Sequence, residues 1–422
     1  MAELNFKAGD SVRLRLSDKE IDVTILESPD KEIILVKLES GYNIGIRKEN
    51  ILAARKLPDK EVKERTETKE RKNSNLPKIA VVVTGGTIAS KIDYKTGGVT
   101  PIDNPQEFID LYPELEKIAD VKNLEMPFRM LSGNMDSSHW IKMAETIKPL
   151  LDDEEIKGVI LTHGTDTLHY TAAALSFFFP KLNKPIVLTY SQKSIDRASS
   201  DAKLNMICAT KMALSDCAEV VIVGHGTEND DFCFALKGTK VKKFHSSKRD
   251  AFKPVNANPI AKITRDKVDF LSQHRKRNAE KVELDISYTD KVALVKFYPG
   301  QDPGILDYYA LSYKGIVIEG TGLGHLAASG ANKSWLPNLK KHIRNGLVVC
   351  ITSQTNYGRV DPNVYSYGRE LMETGVIFLE DMLPETAFVK LGFVLGHAGW
   401  KTKAKEKMLQ NMSGELNPIL KE

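Results

Sequence analysis

A chain of 422 residues, 41% apolar and 27% charged, is too long for one compact core and too apolar for disorder, so two or three packed domains are expected. Its 60 basic and 56 acidic side chains leave a formal charge of +4, which by itself excludes a strongly polycationic nucleic-acid binder. Cys208, Cys217, Cys233 and Cys350 form no C-x-x-C pair and have no histidine at zinc-ligand spacing, which speaks against a disulfide framework or a metal site and for buried thiols in a reducing compartment. The stretch Met1–Asp10 carries Glu3, Lys7 and Asp10 in place of an apolar signal core, and no uncharged apolar run of about 18 residues follows. A cytoplasmic location without membrane contact is therefore expected.

In chain order, residues 1–54 predict a small SH3-like β-barrel. Its strands are Ser11–Leu16, Ile21–Leu26, Ile33–Leu38 and Tyr42–Ile46, separated by turn signals such as Ser28-Pro29-Asp30. Residues 55–75 are so rich in Lys, Arg and Glu that they cannot bury a core; they predict a solvated linker, with a basic RNA-binding arm as the other reading. From Leu76 the pattern changes to apolar strands alternating with helical stretches. Strands are expected at Ala80–Val83, Val159–Leu161, Ile186–Thr189 and Val220–Val223, and helices at Trp140–Leu151, Thr171–Phe179 and Ala198–Ser215. Residues 76–285 thus predict a doubly wound parallel α/β domain. Residues 286–422 predict a smaller α/β domain, with strands at Val292–Phe297, Gly315–Glu319 and Leu347–Ile351 and a helix over Ala387–Leu395.

Two strand-to-turn transitions carry the chemistry. Ile79–Val83 runs into Thr84-Gly85-Gly86-Thr87-Ile88-Ala89, and Val159–Thr162 runs into His163-Gly164-Thr165-Asp166-Thr167. In a parallel sheet both turns fall at the carboxyl edge, where ligands bind, so Thr87 and Thr165 can face one pocket. Amide hydrolysis needs a nucleophile, a group that takes its proton, and donors for the oxyanion. Thr87 offers the hydroxyl, and the glycines before it let the backbone approach a ligand. The plain alternative is a turn threonine that caps the next helix. Asp166 either binds a cationic substrate group, holds a lysine, or caps a helix. Lys243, in the basic segment Leu236–Phe252, is either a solvated surface residue or a base whose proton affinity falls in a dry pocket.

With Ser353-Gln354-Thr355-Asn356-Tyr357-Gly358-Arg359 downstream, these motifs resemble the L-asparaginase/glutaminase family from about Ile79 to the C-terminus. The resemblance implies that Thr87 is the nucleophile and that Thr165, Asp166 and Lys243 relay protons. It implies that Gly86 and Gly164 bound the substrate and that a tyrosine on a flexible lid, for which Tyr94 is the nearest candidate, serves as lid or base. The family's Ser-Gln pair, which grips the amino-acid head group, is Ser132-Gly133 here, leaving Ser132 as the expected ligand. No metal is implied.

The N-terminal barrel and linker resemble a narrower group, the asparaginase-like subunits of archaeal tRNA-dependent amidotransferases. Lys237–Lys240, Ser247–Phe252 and Gly320–His325 agree with it. That resemblance implies ammonia release from glutamine or asparagine, with no cofactor in this chain. A GatE-like partner, the amidotransferase's E subunit, would use ATP and Mg to activate Glu-tRNA(Gln), which it would mainly hold itself, in a heterotetramer built on a homodimer of this chain. The absence of a G-x-x-x-x-G-K-[ST] loop agrees, and Gly322–Gly324 is expected to be a close-packing turn. The polar, glycine-bearing segment Lys91–Val99 is expected to gate the site, and Lys240, Lys242, Lys243, Lys248 and Arg249 are a local basic cluster that could face RNA phosphates. A free-standing asparaginase with an accessory barrel, or a scaffold carrying relic domains, are the competing readings.

Overall fold

The computed structural model describes residues 6–28, 30, 32–38, 43–58, 75–92, 99–102, 105–197 and 199–419. The N-terminal strands are β1 (Ser11–Arg15), β2 (Glu20–Ile25), β3 (Ile33–Leu38), β4 (Asn43–Arg47) and β5 (Ala53–Lys56), paired antiparallel in the order β4–β3–β2–β1–β5. Alternation decides which side chains enter: Val12 and Leu14 of β1 join Val23, Ile25, Ile34, Val36, Ile46 and Ile51 in a core of their own. Arg13 sits opposite Asp22 in register and pairs with it at 2.6 Å on the outer face. Strand β5 carries the ordered sheet through Arg55 and Lys56, two residues into the segment expected as linker. Its mostly exposed Ala-Ala-Arg-Lys sequence has no apolar alternation to announce it.

The larger sheet follows. Its strands are β6 (Lys78–Val83), β9 (Asp120–Glu125), β10 (Ile156–Thr162), β11 (Ile186–Thr189), β12 (Val220–His225), β13 (Cys233–Lys237), β16 (Ala261–Ile263) and β17 (Val268–Phe270); the pairs β7 (Ser90–Ile92) with β8 (Val99–Pro101) and β14 (Val241–Lys243) with β15 (Phe252–Pro254) stand apart as two-stranded sheets. The eight strands run β17–β16–β13–β12–β11–β10–β6–β9, with β9, β6, β10, β11 and β12 parallel and the rest antiparallel. Parallel strands are covered on both faces, and here successive residues part to the two sides. Ala80 and Val82 pack under helices α2 (Ser137–Asp152) and α3 (Leu168–Phe178), whereas Ile79, Val81 and Val83 meet α4 (Ala202–Leu214); the short α1 (Pro105–Asp110) precedes these. From β6 the sheet grows to one side with β9 and to the other with β10, β11 and β12, so the order reverses between β6 and β10. That is where a doubly wound sheet opens its ligand crevice.

The smaller domain is a parallel sheet, β18 (Val292–Lys296), β19 (Gly315–Gly320), β20 (Val348–Ser353) and β21 (Ile377–Phe378), in sequence order. Helices α5 (Ile305–Ser312), α6 (Leu336–Arg344), α7 (Ser366–Met372), α8 (Pro384–Gly396) and α9 (Ala404–Leu409) accompany it. Helix α8 is buried on two sides: Ala387, Leu391 and Val394 lie against the small sheet, and Val389 and Phe393 enter the core beneath α3. All four cysteines are buried and unpaired. Among the described residues no helix is long and apolar enough to cross a membrane.

Candidate active site

The turn after β6 is held from below and from the side. Thr84 Oγ1 donates to the Thr162 carbonyl at 2.7 Å, tying the two strand ends together, and the Met130 amide donates to the Thr84 carbonyl at 3.2 Å. Gly85 and Gly86 follow at φ +114° and +82°. A methyl group on Gly85 would lie 2.6 Å from the Met130 carbonyl oxygen, and one on Gly86 2.6 Å from the Gly164 nitrogen and the His163 carbonyl. Only glycine satisfies both the dihedral and the contact, so the TGGT pattern is required where two turns interlock. Thr87 then opens a 3-10 turn, Thr87–Ala89, half-buried at the crevice.

The turn after β10 rests on His163. Burial pushes its imidazole down to about 4, so the ring is neutral and needs one donor and one acceptor contact. Nδ1 lies 2.7 Å from the Gly164 carbonyl and Nε2 2.9 Å from Thr171 Oγ1, which fits a proton on Nδ1 and a threonine hydroxyl donating to Nε2. Added atoms on Gly164 would meet Ser132 Oγ at 2.7 Å, and Thr167 Oγ1 donates to the Ser132 carbonyl at 2.8 Å, so Ser132 closes on the same turn.

Lys243, at the end of β14, reaches across to this turn. Its Nζ donates to Thr165 Oγ1 and to Asp166 Oδ1, both at 2.8 Å. The lysine side chain is 11% exposed and the aspartate 76%, so the ammonium is anchored from a sheltered side while the carboxylate faces solvent. A hydroxyl in contact with a lysine that an acid holds in place is an arrangement that can move a proton to and from a nucleophile.

The fold therefore gathers Gly86, Gly164, Ser132, Thr165, Asp166 and Lys243, and Gly86 delivers Thr87 to the same edge. Tyr94 lies outside the described residues, as does most of the expected gate; β7 and β8 pair on either side of it, Ile92 opposite Val99. Nothing lies within 4 Å of a side chain added at Gly133. The basic cluster is laced with carboxylates. Lys240 is buried against Asp381 at 2.6 Å, whereas Lys242 pairs with Glu385 at 2.8 Å, Arg249 with Asp230 at 3.2 Å and the exposed Lys248 with Glu228 at 3.5 Å. Those partners, and the support that Met130 and Thr171 give the turns, had no local signal in the sequence. Gly324, at φ +93°, would drive an added carbon to 2.9 Å from Val360, so its segment is a packing turn. Among the described residues no group of three His, Cys, Asp or Glu converges as metal ligands.

A crevice of this kind, at the strand-order reversal of an α/β sheet with a smaller α/β domain behind it, defines an asparaginase-like fold. Residues 78–276 match the family model "Asparaginase, N-terminal" and residues 291–409 "Glutaminase/Asparaginase C-terminal domain". The L-asparaginase of Thermococcus kodakarensis superposes with a TM-score of 0.73 at 29% identity, over 81% of this chain and 100% of that one. L-asparaginase I of Vibrio cholerae, at 24% identity and a TM-score of 0.69 over 81% and 99%, shares the fold. The N-terminal sheet narrows the assignment, since residues 6–57 match "GatD N-terminal domain". The D subunit of the Pyrococcus furiosus glutamyl-tRNA(Gln) amidotransferase is 45% identical over 100% of this chain and 97% of its own length, and that of Sulfolobus acidocaldarius 40% over 99% and 94%. The chain belongs to the family of glutamyl-tRNA(Gln) amidotransferase D subunits.

Proposed function

We propose that the chain is the ammonia-releasing component of a tRNA-dependent amidotransferase. Thr87 Oγ attacks the side-chain carboxamide of glutamine or asparagine, and the backbone amides of the Gly86–Thr87 and Gly164–Thr165 turns hold the oxyanion. Thr165, in contact with Lys243 Nζ at 2.8 Å, passes the nucleophile's proton to the leaving nitrogen, while Asp166 holds the lysine. Ammonia departs, and water releases the acid from the acyl-threonine. Ser132 binds the substrate head group. The observation that carries this reading is the Thr165–Lys243–Asp166 contact on the turn that interlocks with Gly86.

The ammonia goes to a GatE-like partner, which binds Glu-tRNA(Gln), activates its γ-carboxylate with ATP and Mg, and forms Gln-tRNA(Gln). Two copies of this chain and two partners form the assembly, in the cytoplasm. A free-standing asparaginase would have no use for the N-terminal sheet and its separate core. The experiment is ammonia release from glutamine and asparagine by the purified chain, alone and then with the GatE-like partner, ATP and glutamyl-tRNA(Gln). Stimulation by the full mixture is expected, with loss on the order of 10³-fold or more in Thr87→Ala. Equal, high turnover without partners would instead make the chain a free-standing asparaginase.

A further inference from the structure

Helix α8 of the smaller domain braces the elements on either side of the Thr165–Lys243 contact. It packs on α3, which begins just after Asp166: Tyr170 meets Phe388 edge-on at 6.1 Å and Phe177 stacks on Phe393 at 6.0 Å. Its first turn also holds the lysine strand, because Glu385 takes Lys242, the neighbour of Lys243 on β14, at 2.8 Å. Immediately before α8, Asp381 takes Lys240 at 2.6 Å in a pair with side chains 1% and 0% exposed, and Asn417 Nδ2 donates to the same carboxylate at 2.7 Å. Neighbouring side chains on a strand point to opposite faces, so Lys242 can be tied to α8 while Lys243 turns to Thr165.

Buried ion pairs add little net stability compared with apolar packing, but they fix geometry. Glu385 Oε2 and His169 Nδ1 are both buried without a hydrogen-bond partner among the described residues, so polar atoms are kept beside Lys242 beyond what packing requires. We propose that Glu385 and Lys242 are positioning residues, through which the smaller domain sets the reach of Lys243 to Thr165. The inference rests on the reading of Lys243 as the proton-relay lysine. His169 of α3 lies within electrostatic reach of Glu385, Lys242, Lys243 and Asp166, so the groups invoked share one neighbourhood.

The test is steady-state ammonia release by the full chain carrying Glu385→Gln, Lys242→Met, both together, Lys242→Arg, or Lys243→Met. Each charge-removing single variant breaks the tie and lowers kcat about tenfold with KM unchanged, whereas Lys242→Arg keeps the ion pair and most of kcat. The double variant falls no further than either single, because both remove the same tie. That pattern establishes the positioning role. Unchanged kcat in both singles, or losses that multiply in the double variant, overturns it so long as Lys243→Met is inactive. An active Lys243→Met overturns the underlying reading and the inference with it.

Discussion

Gly86→Ala tests whether the two turns are interlocked as tightly as the site requires. The residue stands at φ +82° and ψ 167°, a region that L side chains rarely occupy, at a cost of about 1–3 kcal/mol. The new methyl would also lie 2.6 Å from the Gly164 nitrogen and the His163 carbonyl, backbone atoms with no flexible end to yield. Forced overpacking adds about 1–3 kcal/mol, so the total is roughly 2–6 kcal/mol. Gly300→Ala is the control, because it shares a positive φ of +79° but has nothing within 4 Å of the added carbon, and so incurs strain without collision. Urea unfolding of both variants, with ammonia release measured on the folded fraction, separates the two contributions. Gly86→Ala should be the less stable by about 1–3 kcal/mol and inactive, since relief of the clash parts Thr87 from Thr165. Equal stability of the two variants, with activity kept in Gly86→Ala, would refute the interlocking.

His163 and His169 are both pushed down to about 4, first of all by burial, from an ordinary value near 6.5. A group that binds its proton more weakly folded than unfolded contributes fully above its unfolded value and loses that contribution as pH falls toward the folded one. At about 1.4 kcal/mol per pH unit, roughly 3 kcal/mol per histidine should be lost between pH 6.5 and 4. Denaturation midpoints across that window check this, and a slope unchanged in His163→Asn would contradict it. Lys390 and Glu415 form a fully buried pair at 2.5 Å, with Lys390 also donating to the Met408 and Gln410 carbonyls. Glu415→Leu alone should cost about 3–5 kcal/mol by stranding the ammonium, and the double replacement Lys390→Met with Glu415→Leu much less. Thermal unfolding compares them; equal losses would mean that the carbonyls suffice to hold the charge.

Much of the architecture was legible because local rules decided it. The central parallel strands are continuous apolar runs bounded by turns, as strands covered on both faces must be, and the expected Ile186–Thr189 coincides with β11. Strand β5 was hidden because Ala53–Lys56 gains its order from pairing with β1 and not from a buried face of its own. The helix expected at Ala198–Ser215 begins as α4 at Ala202, after Asp201, whose carboxylate accepts the Gln192 and Lys193 amides of the turn that precedes it.

Local sequence was enough for the central parallel strands, the two glycine-bearing turns and the residue types at the crevice, since each follows from neighbours a few positions away. Which partners the charges meet was settled only by long-range packing. Lys240 and Lys243 stand in one basic stretch and look alike in sequence, yet one is neutralised by an aspartate 141 residues on and the other reaches a threonine 78 residues back. Whether a lysine is a solvated surface charge, a buried tie between domains or a proton carrier depends on the dielectric and the partner it meets, and those are supplied by contacts between distant segments.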